Sequence, residues 1–510
     1  KANTTGTENV AVGANALDAN TTANDVTAVG YNSLGANTTG ADNSAFGAYS
    51  LDANTTGASN TAIGTSALGA NTTAANNTAV GYRSLYVNTT GTENVAVGAL
   101  AGDAITTGSH NTAVGYIALS AATTASDNSA FGREALRDCT SGNSNTAIGK
   151  EALKLNTTGV ENTAVGHHAL NVNTSGQQNV ALGRLALLAN TTGSFNTGVG
   201  SAALDANTTG SNNIGIGAGA LTANTTADNN TGIGHSSLAA NTTGEDNTGL
   251  GFGALASNTT ASNSTAVGKS ALLLNTTGAG NTGVGFTALD ACTTGAYNVA
   301  VGYDSIGKLT TASNNTAIGN SGLNNCTTGE GNTCIGKASG DVITTSGSNT
   351  LVGRDTDTSS ATSAGHEIAI GANAVGKGAS TGFINPNGGG VYQGNNSTTW
   401  SQTSDERIKK NIVDNNVGLE KIKNIQVRNF EYKLPEEISD GLTETDAIDK
   451  QGIQLGVIAQ ELETILPDMV TTESTGCKTV DADNMTWYLV NAVQELSAKV
   501  EELESKLNGE

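Results

Sequence analysis

Asn3-Thr4-Thr5-Gly6-Thr7-Glu8-Asn9-Val10-Ala11-Val12-Gly13-Ala14-Asn15-Ala16-Leu17-Asp18-Ala19 is the first of twenty-one seventeen-residue units that succeed one another without insertion or deletion. The eleventh position is always glycine, from Gly13 to Gly353, and always follows a branched aliphatic residue or Phe. A period this strict marks a stacked solenoid, because one unit can bury its apolar residues only against its neighbours. The tenth position is bulky and apolar throughout (Val12, Val29, Phe46, Ile63, Val80). The fifteenth is Leu, or Ile306, with Gly102, Gly340 and Asp357 as exceptions. Val stacked on Val and Leu on Leu predicts a narrow core made of these two columns. Seventeen residues leave room for two or three strands of about four residues, and at ~4.8 Å per coil the array makes a rod roughly 100 Å long.

The first position is Asn in fourteen units and Ile105, Ala122, Cys139, Cys292, Leu309, Cys326 or Ile343 in the others. A surface site would not exchange Asn for Ile, Leu and Cys, so this column is expected to face inward as a hydrogen-bonded Asn ladder. The recurrent Asn-Thr-Thr therefore reads as structure rather than as a row of glycan acceptors. Positions five, six, twelve and thirteen vary freely and carry charge and aromatics (Glu8, Asp25, Asp42, Tyr31, Tyr82, Arg133, Phe252, Phe286, Tyr303), as turns facing water would. The invariant glycine is expected to hold a backbone geometry closed to side chains, or to admit a neighbouring backbone. Cys139, Cys292 and Cys326 share one column at least two coils apart, Cys334 falls on a small core position and Cys477 stands alone, so small buried thiols are expected rather than disulfides.

Charge divides the chain. Residues 1–400 hold 23 acidic and 12 basic side chains, and residues 401–510 hold 22 and 11, so the last stretch is far denser in charge. Pro386, Pro435, Pro467, Trp400 and Trp487 all lie beyond the repeats. The expected organisation is a shaft over 1–379, closed by a degenerate coil at 366–376, then a Gly/Asn/Ser/Thr-rich tip or linker over 380–403. A compact domain over 404–488 and a coiled coil over 489–510 complete the chain. Lys1-Ala2 occupy the last two positions of a preceding unit, which predicts that the natural N-terminus lies upstream. A net charge of −22 argues against nucleic acid or an anionic membrane as partner. No apolar run reaches spanning length and no signal peptide opens the chain.

Several motifs dissolve into the repeat. Gly215-Ile216-Gly217-Ala218-Gly219 mimics a dinucleotide loop and Gly268-Lys269-Ser270 the end of a phosphate loop, yet the upstream glycine that the latter requires is Asn263. Adjacent His167 and His168 would point to opposite faces of a strand, so no metal site is expected, and no cofactor. No carboxylate pair recurs at a fixed position, which leaves a glycosidase cleft unsupported. Threonine is frequent at position eight (Thr27, Thr61, Thr78, Thr112); an ice-binding face is one reading, and hydroxyl ladders in a strand-forming residue the favoured one. Leu489, Val493, Leu496, Val500, Leu503 and Leu507 alternate spacings of four and three, which is a coiled-coil seam.

Ser404-Asp405-Glu406-Arg407-Ile408-Lys409-Lys410-Asn411-Ile412, Val427-Arg428-Asn429-Phe430-Glu431-Tyr432 and Leu455-Gly456-Val457-Ile458-Ala459-Gln460-Glu461-Leu462 through Pro467 occur in this order. Together they resemble the C-terminal intramolecular chaperone domain of phage endosialidases and tail fibres. The resemblance covers about 404–510, with departures in the acidic insert 436–450 and at Met485-Thr486-Trp487. It implies a domain that trimerises, helps the upstream β-structure to fold and then cuts itself off between Ser404 and Asp405, with Ser404 and Lys409 as the cleaving pair. A lysine serves as base only without its proton, and burial in an assembled trimer would lower its pKa from about 10.4. Any enzyme activity is then at most a single-turnover Ser-Lys autoproteolysis. The core Asn9-Val10-Ala11-Val12-Gly13 also resembles the head repeats of trimeric autotransporter adhesins, which implies a left-handed, trimeric β-roll.

An all-β solenoid with a small α+β chaperone domain and terminal coiled coil thus predicts a homotrimeric fibre of a virion tail or other extracellular surface. Its partners would be itself and a host-surface receptor, a glycan or a protein. The alternatives are a bacterial surface adhesin or filament, the ice-binding solenoid and, more distantly, a depolymerase.

Overall fold

The computed structural model describes residues 2–362, 365–385, 391–393, 401–402, 406–439, 448, 450–472 and 476–509. It separates into two units, Lys1–Thr403 and Ser404–Glu510.

The first unit is a parallel β-solenoid. Strand β1 (Val10–Val12) is succeeded at seventeen-residue intervals by β2 (Thr27–Val29) and its equivalents as far as β21 (Thr350–Val352). Each strand pairs in parallel with the next, residue for equivalent residue, as Thr163, Ala164 and Val165 do with Val180, Ala181 and Leu182. Two further coils depart from the period. β22 (Ile368–Ile370) pairs with β21 after an eighteen-residue step, and β23 (Gly382–Ile384) pairs with β22 after fourteen. The short strands β24 (Val391–Gln393) and β25 (Ser401–Gln402) then add in antiparallel fashion, so the tip region carries strands that extend the sheet.

Two expectations about the coil are corrected. Each coil contains one strand of three residues, and the rest is turns whose backbone bonds still run from coil to coil, for example Leu170 N–H to Ala186 O at 2.9 Å. More consequentially, position ten faces outward: Val12 is 57% exposed, Phe46 43%, and no residue of this column is buried. Side chains alternate along a strand, so position nine turns inward. That position is Ala or Gly in all coils but two, which hold Cys334 and Leu351. The interior accepts Ala28, Ala45 and Ala62 at zero exposure beside the fully buried leucines Leu34, Leu51 and Leu68.

Those leucines sit in the left-handed region, Leu170 at φ 52° and Leu136 at φ 51°. That geometry costs an ordinary residue about 1–2 kcal/mol, against about 1.5–3 kcal/mol from burying the side chain. The exceptions now make sense. Gly102 takes the same φ of 58° without strain, and the Cδ1 of buried Ile105 lies 3.0 Å from where its Cβ would be. Ile343 likewise follows Gly340 and is fully buried.

The first-position asparagines are buried as expected and form a ladder. Asn173 Nδ2 donates to Asn156 Oδ1 at 2.8 Å and to Gly176 O at 2.9 Å. Where cysteine replaces Asn, the thiol donates to the same carbonyl, Cys139 Sγ to Gly142 O at 3.3 Å, and burial pushes that thiol up to about 11. Ile105 interrupts the ladder and leaves Asn88 Oδ1 without a donor. A second ladder runs at position seven, where all but Val26 and Ser264 are Asn in the periodic units. There Asn162 donates its N–H to Asn145 Oδ1 at 3.0 Å and Nδ2 to Gly176 O at 2.9 Å. The ladder ends at Glu367, whose buried carboxylate accepts from Ser359 N and Ser359 Oγ at 3.0 and 2.8 Å.

Asp357 stands where other coils place Leu. Burial, with Asp341 and Asp355 nearby, pushes its carboxyl up to about 6 despite a hydrogen bond from Val342 N–H. A carboxyl whose folded pKa exceeds its unfolded value of about 3.8 stabilises the fold in acid, and that contribution is lost as pH rises through about 6. Melting monitored from pH 7 to pH 5 is therefore expected to show the last coils becoming more stable, with Asp357→Asn removing most of the change. A gain of the same size in the variant would show that Asp357 is not its source.

Candidate functional site

The C-terminal unit brings together motifs that are remote in sequence. Strand β26 (Arg428–Phe430) pairs antiparallel with β27 (Gln454–Gly456), and β28 (Val470–Thr472) with β29 (Lys478–Val480). Arg428 grips Glu461 with two bonds of 3.0 and 3.1 Å, joining the second motif to the third. Glu461 lies on helix α2 (Ala459–Glu463), which comes after the shorter α1 (Leu419–Asn424). Lys421 on α1 donates to Ile465 O at 2.9 Å. Helix α3 (Asp483–Asn508) is tied in near its start by Asn491 Nδ2 to Asn415 O at 2.6 Å and by Tyr488 Oη to Asp468 Oδ2 at 2.8 Å.

This unit has little core of its own. Leu462, Leu466 and Met469 are buried, with Ile425, Val457, Ile465 and Val480 packed around them. Val413, Val427, Ile453, Leu455 and Trp487 stand exposed. The seam residues Leu489, Val493, Leu496, Val500, Leu503 and Leu507 all fall on α3, and every one is at least 45% exposed. These residues form an apolar stripe over about five turns of helix that is not packed within its own chain.

Ser404 and Asp405, the expected cleavage pair, lie outside the described residues. Lys409 is described: it comes directly after the 3-10 turn Glu406–Ile408, donates its N–H to Glu406 O at 3.0 Å and is exposed. Of the acidic insert, 440–447 and 449 also lie outside the described residues.

On the rod, the varied positions lie at turns as expected. His167 and His168 occupy a turn rather than a strand, so they do not diverge but stack with ring centroids 4.0 Å apart. His168 Nε2 lies 3.5 Å from Glu151. Glu134 is nearly buried beneath Lys154, Arg133 and Arg137 at 2.8, 2.7 and 3.1 Å, and Lys154 first, then Arg133, hold its carboxyl down to about 2. Farther along, one face carries a continuous stack. His235 lies over Phe252 (5.3 Å), Lys269 Nζ sits 5.9 and 5.6 Å from the rings of Phe252 and Phe286, and Phe286 stacks on Tyr303 (5.5 Å). Among the described residues no helix is long and apolar enough to cross a membrane.

The sequence pattern missed the outward apolar row at position ten and the second Asn ladder. The small ninth position, Ala or Gly in all but two coils, was the signal for the first.

Comparison with known proteins is consistent with this geometry. Residues 404–471 match the family described as chaperone of endosialidase. Two curated relatives, the long tail fiber proteins Gp37 of Enterobacteria phages K3 and T2, are each 37% identical over 108 residues. That stretch is 20% of this chain and only 8% and 7% of theirs, so the chain spans less than a tenth of either relative. No solved structure matches. The segment beyond the rod, over residues 404–471, is thus similar to the chaperone of endosialidase, carried at the end of a parallel β-solenoid.

Proposed function

We propose that the chain is the shaft of a homotrimeric phage tail fibre that attaches the virion to its host surface. Its C-terminal segment is an intramolecular chaperone that aligns three chains and is then cut away between Ser404 and Asp405. The exposed seam of α3, on a unit whose buried apolar cluster among the described residues is Leu462, Leu466 and Met469, carries this proposal. Such a unit gains the core that it lacks by associating with copies of itself. The outward row of Val, Ile, Leu and Phe at position ten supports lateral association of the rods in the same way, since soluble monomers rarely expose a long apolar strip.

The domains have complementary roles. Near-identical coils select their alignment weakly, so a C-terminal domain that joins three ends sets the register before the rods zip together. In the cleavage step the Ser404 hydroxyl is the nucleophile and the neutral Lys409 amine the base. The net change is hydrolysis, with one water consumed, a carboxylate formed on Ser404 and an amine on Asp405. Lys409 is exposed in the single chain, so its loss of water waits for assembly.

Expression of the chain beside its Ser404→Ala form tests the cut. The parent is expected to release a fragment of 106 residues, 405 through 510, on a denaturing gel, and the variant to remain whole. Equal intact bands would remove autoproteolysis. Sedimentation of the parent as a monomer would remove the trimer as well.

A further inference from the structure

Charge on the rod is segregated by position within the coil. Positions five and six, just before the strand, hold ten carboxylates over the periodic units and neither Lys nor Arg: Glu8, Asp25 and Asp42 near the start, Glu161 and Glu245 midway, Glu330 near the end. Position twelve, just after the strand, holds six of the shaft's basic residues and no acid: Arg133, Lys150, Arg184, Lys269, Lys337 and Arg354. Its other occupants include Tyr31, Tyr82, Phe252 and Tyr303. The charged residues of both columns are exposed, apart from a half-buried Asp228. Between them lies the outward apolar row of position ten. Along the exposed face of the rod, a carboxylate thus stands before the strand in nine of the 21 periodic coils, an apolar residue fills position ten of every coil, and a base or aromatic ring follows in fourteen.

Within the chain the two columns do not neutralise each other; among the described residues no ion pair joins them. Arg133, Lys150 and Arg354 instead lie 2.7, 3.4 and 3.4 Å from the carboxylates of Glu134, Glu151 and Asp355 at position thirteen. Arg184 and Lys337 have no such pair among the described residues, and Lys269 lies between the Phe252 and Phe286 rings.

We infer that this face docks a second copy of the chain, running parallel, with the acidic corner of one rod set against the basic column of the next. The apolar row repeats in every periodic coil, so its occupant must share the rod's length and its rise per coil, and another copy does. The charge pattern then selects direction. Two rods related by rotation about an axis along their length present opposite flanks to each other, acid to base. Two antiparallel rods present like flanks, acid to acid and base to base. Charge complementarity of this kind discriminates between orientations more than it adds affinity. The inference rests on the oligomeric fibre proposed above and adds what orients its chains.

The test is charge reversal in the full chain. The variant R184E/K269E/K337E puts three carboxylates beside the three remaining bases of position twelve and so cancels the basic column. At low salt it is expected to raise the concentration for half-assembly, read by sedimentation, by about tenfold or more. Adding E161K/E245K/E330K exchanges the charges of the two columns at three neighbouring places and is expected to bring that concentration back to within about threefold of the parent. Because the second variant contains the first, its recovery separates lost pairing from lost folding. A first variant that assembles like the parent, or a second that fails to recover, overturns the inference. A parent that never assembles overturns the fibre reading as well, whereas an assembled parent with indifferent variants removes only the charge-directed docking.

Discussion

Replacing Gly166 with alanine is expected to break the rod at that coil, with a local loss of at least about 3 kcal/mol. Gly166 has φ +135°, a region essentially closed to residues with a Cβ, and an added Cβ would stand 2.6 Å from Gly183 O and 2.7 Å from its carbon. The coil cannot retreat, because Gly166 N–H donates to Ile148 O at 2.8 Å in the preceding coil. A solenoid is stabilised by neighbour contacts alone, so one broken interface divides a cooperative array into two shorter ones. Denaturant unfolding should then show two transitions, and limited proteolysis should open the chain near residue 166. His167→Ala, one residue on and exposed, is expected to change neither measurement. A Gly166→Ala rod melting as a single unit at the parent's midpoint would show that the glycine column is dispensable.

The second large effect concerns the position-seven ladder. Asn162 Oδ1 accepts from the N–H and Nδ2 of Asn179 at 3.0 and 3.1 Å, and its Nδ2 donates to Asn145 Oδ1 at 3.2 Å and to Gly176 O at 2.9 Å. Alanine would orphan the buried Asn179 N–H and remove several further bonds, a cost of about 2–4 kcal/mol. The neighbouring ladder should be far more tolerant. Asn156 Nδ2 donates to Gly159 O at 3.0 Å, a bond that a thiol reproduces in the adjacent coil at Cys139. Asn156→Cys is therefore expected to cost under about 1.5 kcal/mol. Equal losses for Asn162→Ala and Asn156→Cys would contradict the distinct roles assigned to the two columns.

That contrast shows how far the repeat could be read without coordinates. Substitution at position one by Ile105, Cys139 and Leu309 revealed an inward column, because only a buried site exchanges Asn for apolar residues. Position seven, almost always Asn, looked like any recurrent polar site; its burial emerged only when the coil closed and aimed Asn162 at Asn145 and Asn179. Position ten misled for the opposite reason. Bulk and apolarity suggested a core, yet the interior is narrow enough to be filled by Ala28 and its equivalents beside Leu34, and the larger side chains face out. In the C-terminal unit, the three motifs and the heptad spacing of Leu489 through Leu507 were legible. The grip of Arg428 on Glu461 joins residues thirty-three apart, and nothing local indicates such a pairing.

By itself, the order of residues determined the twenty-one periodic coils and their seventeen-residue step. Those properties come from periodicity and composition, which are local. Only the folded coil decided which face of the strand looks inward, which asparagines bond along the axis, and that acid and base stand on opposite sides of an apolar row. Those depend on how each turn folds back on its strand, and so on contacts between residues that the linear order keeps apart.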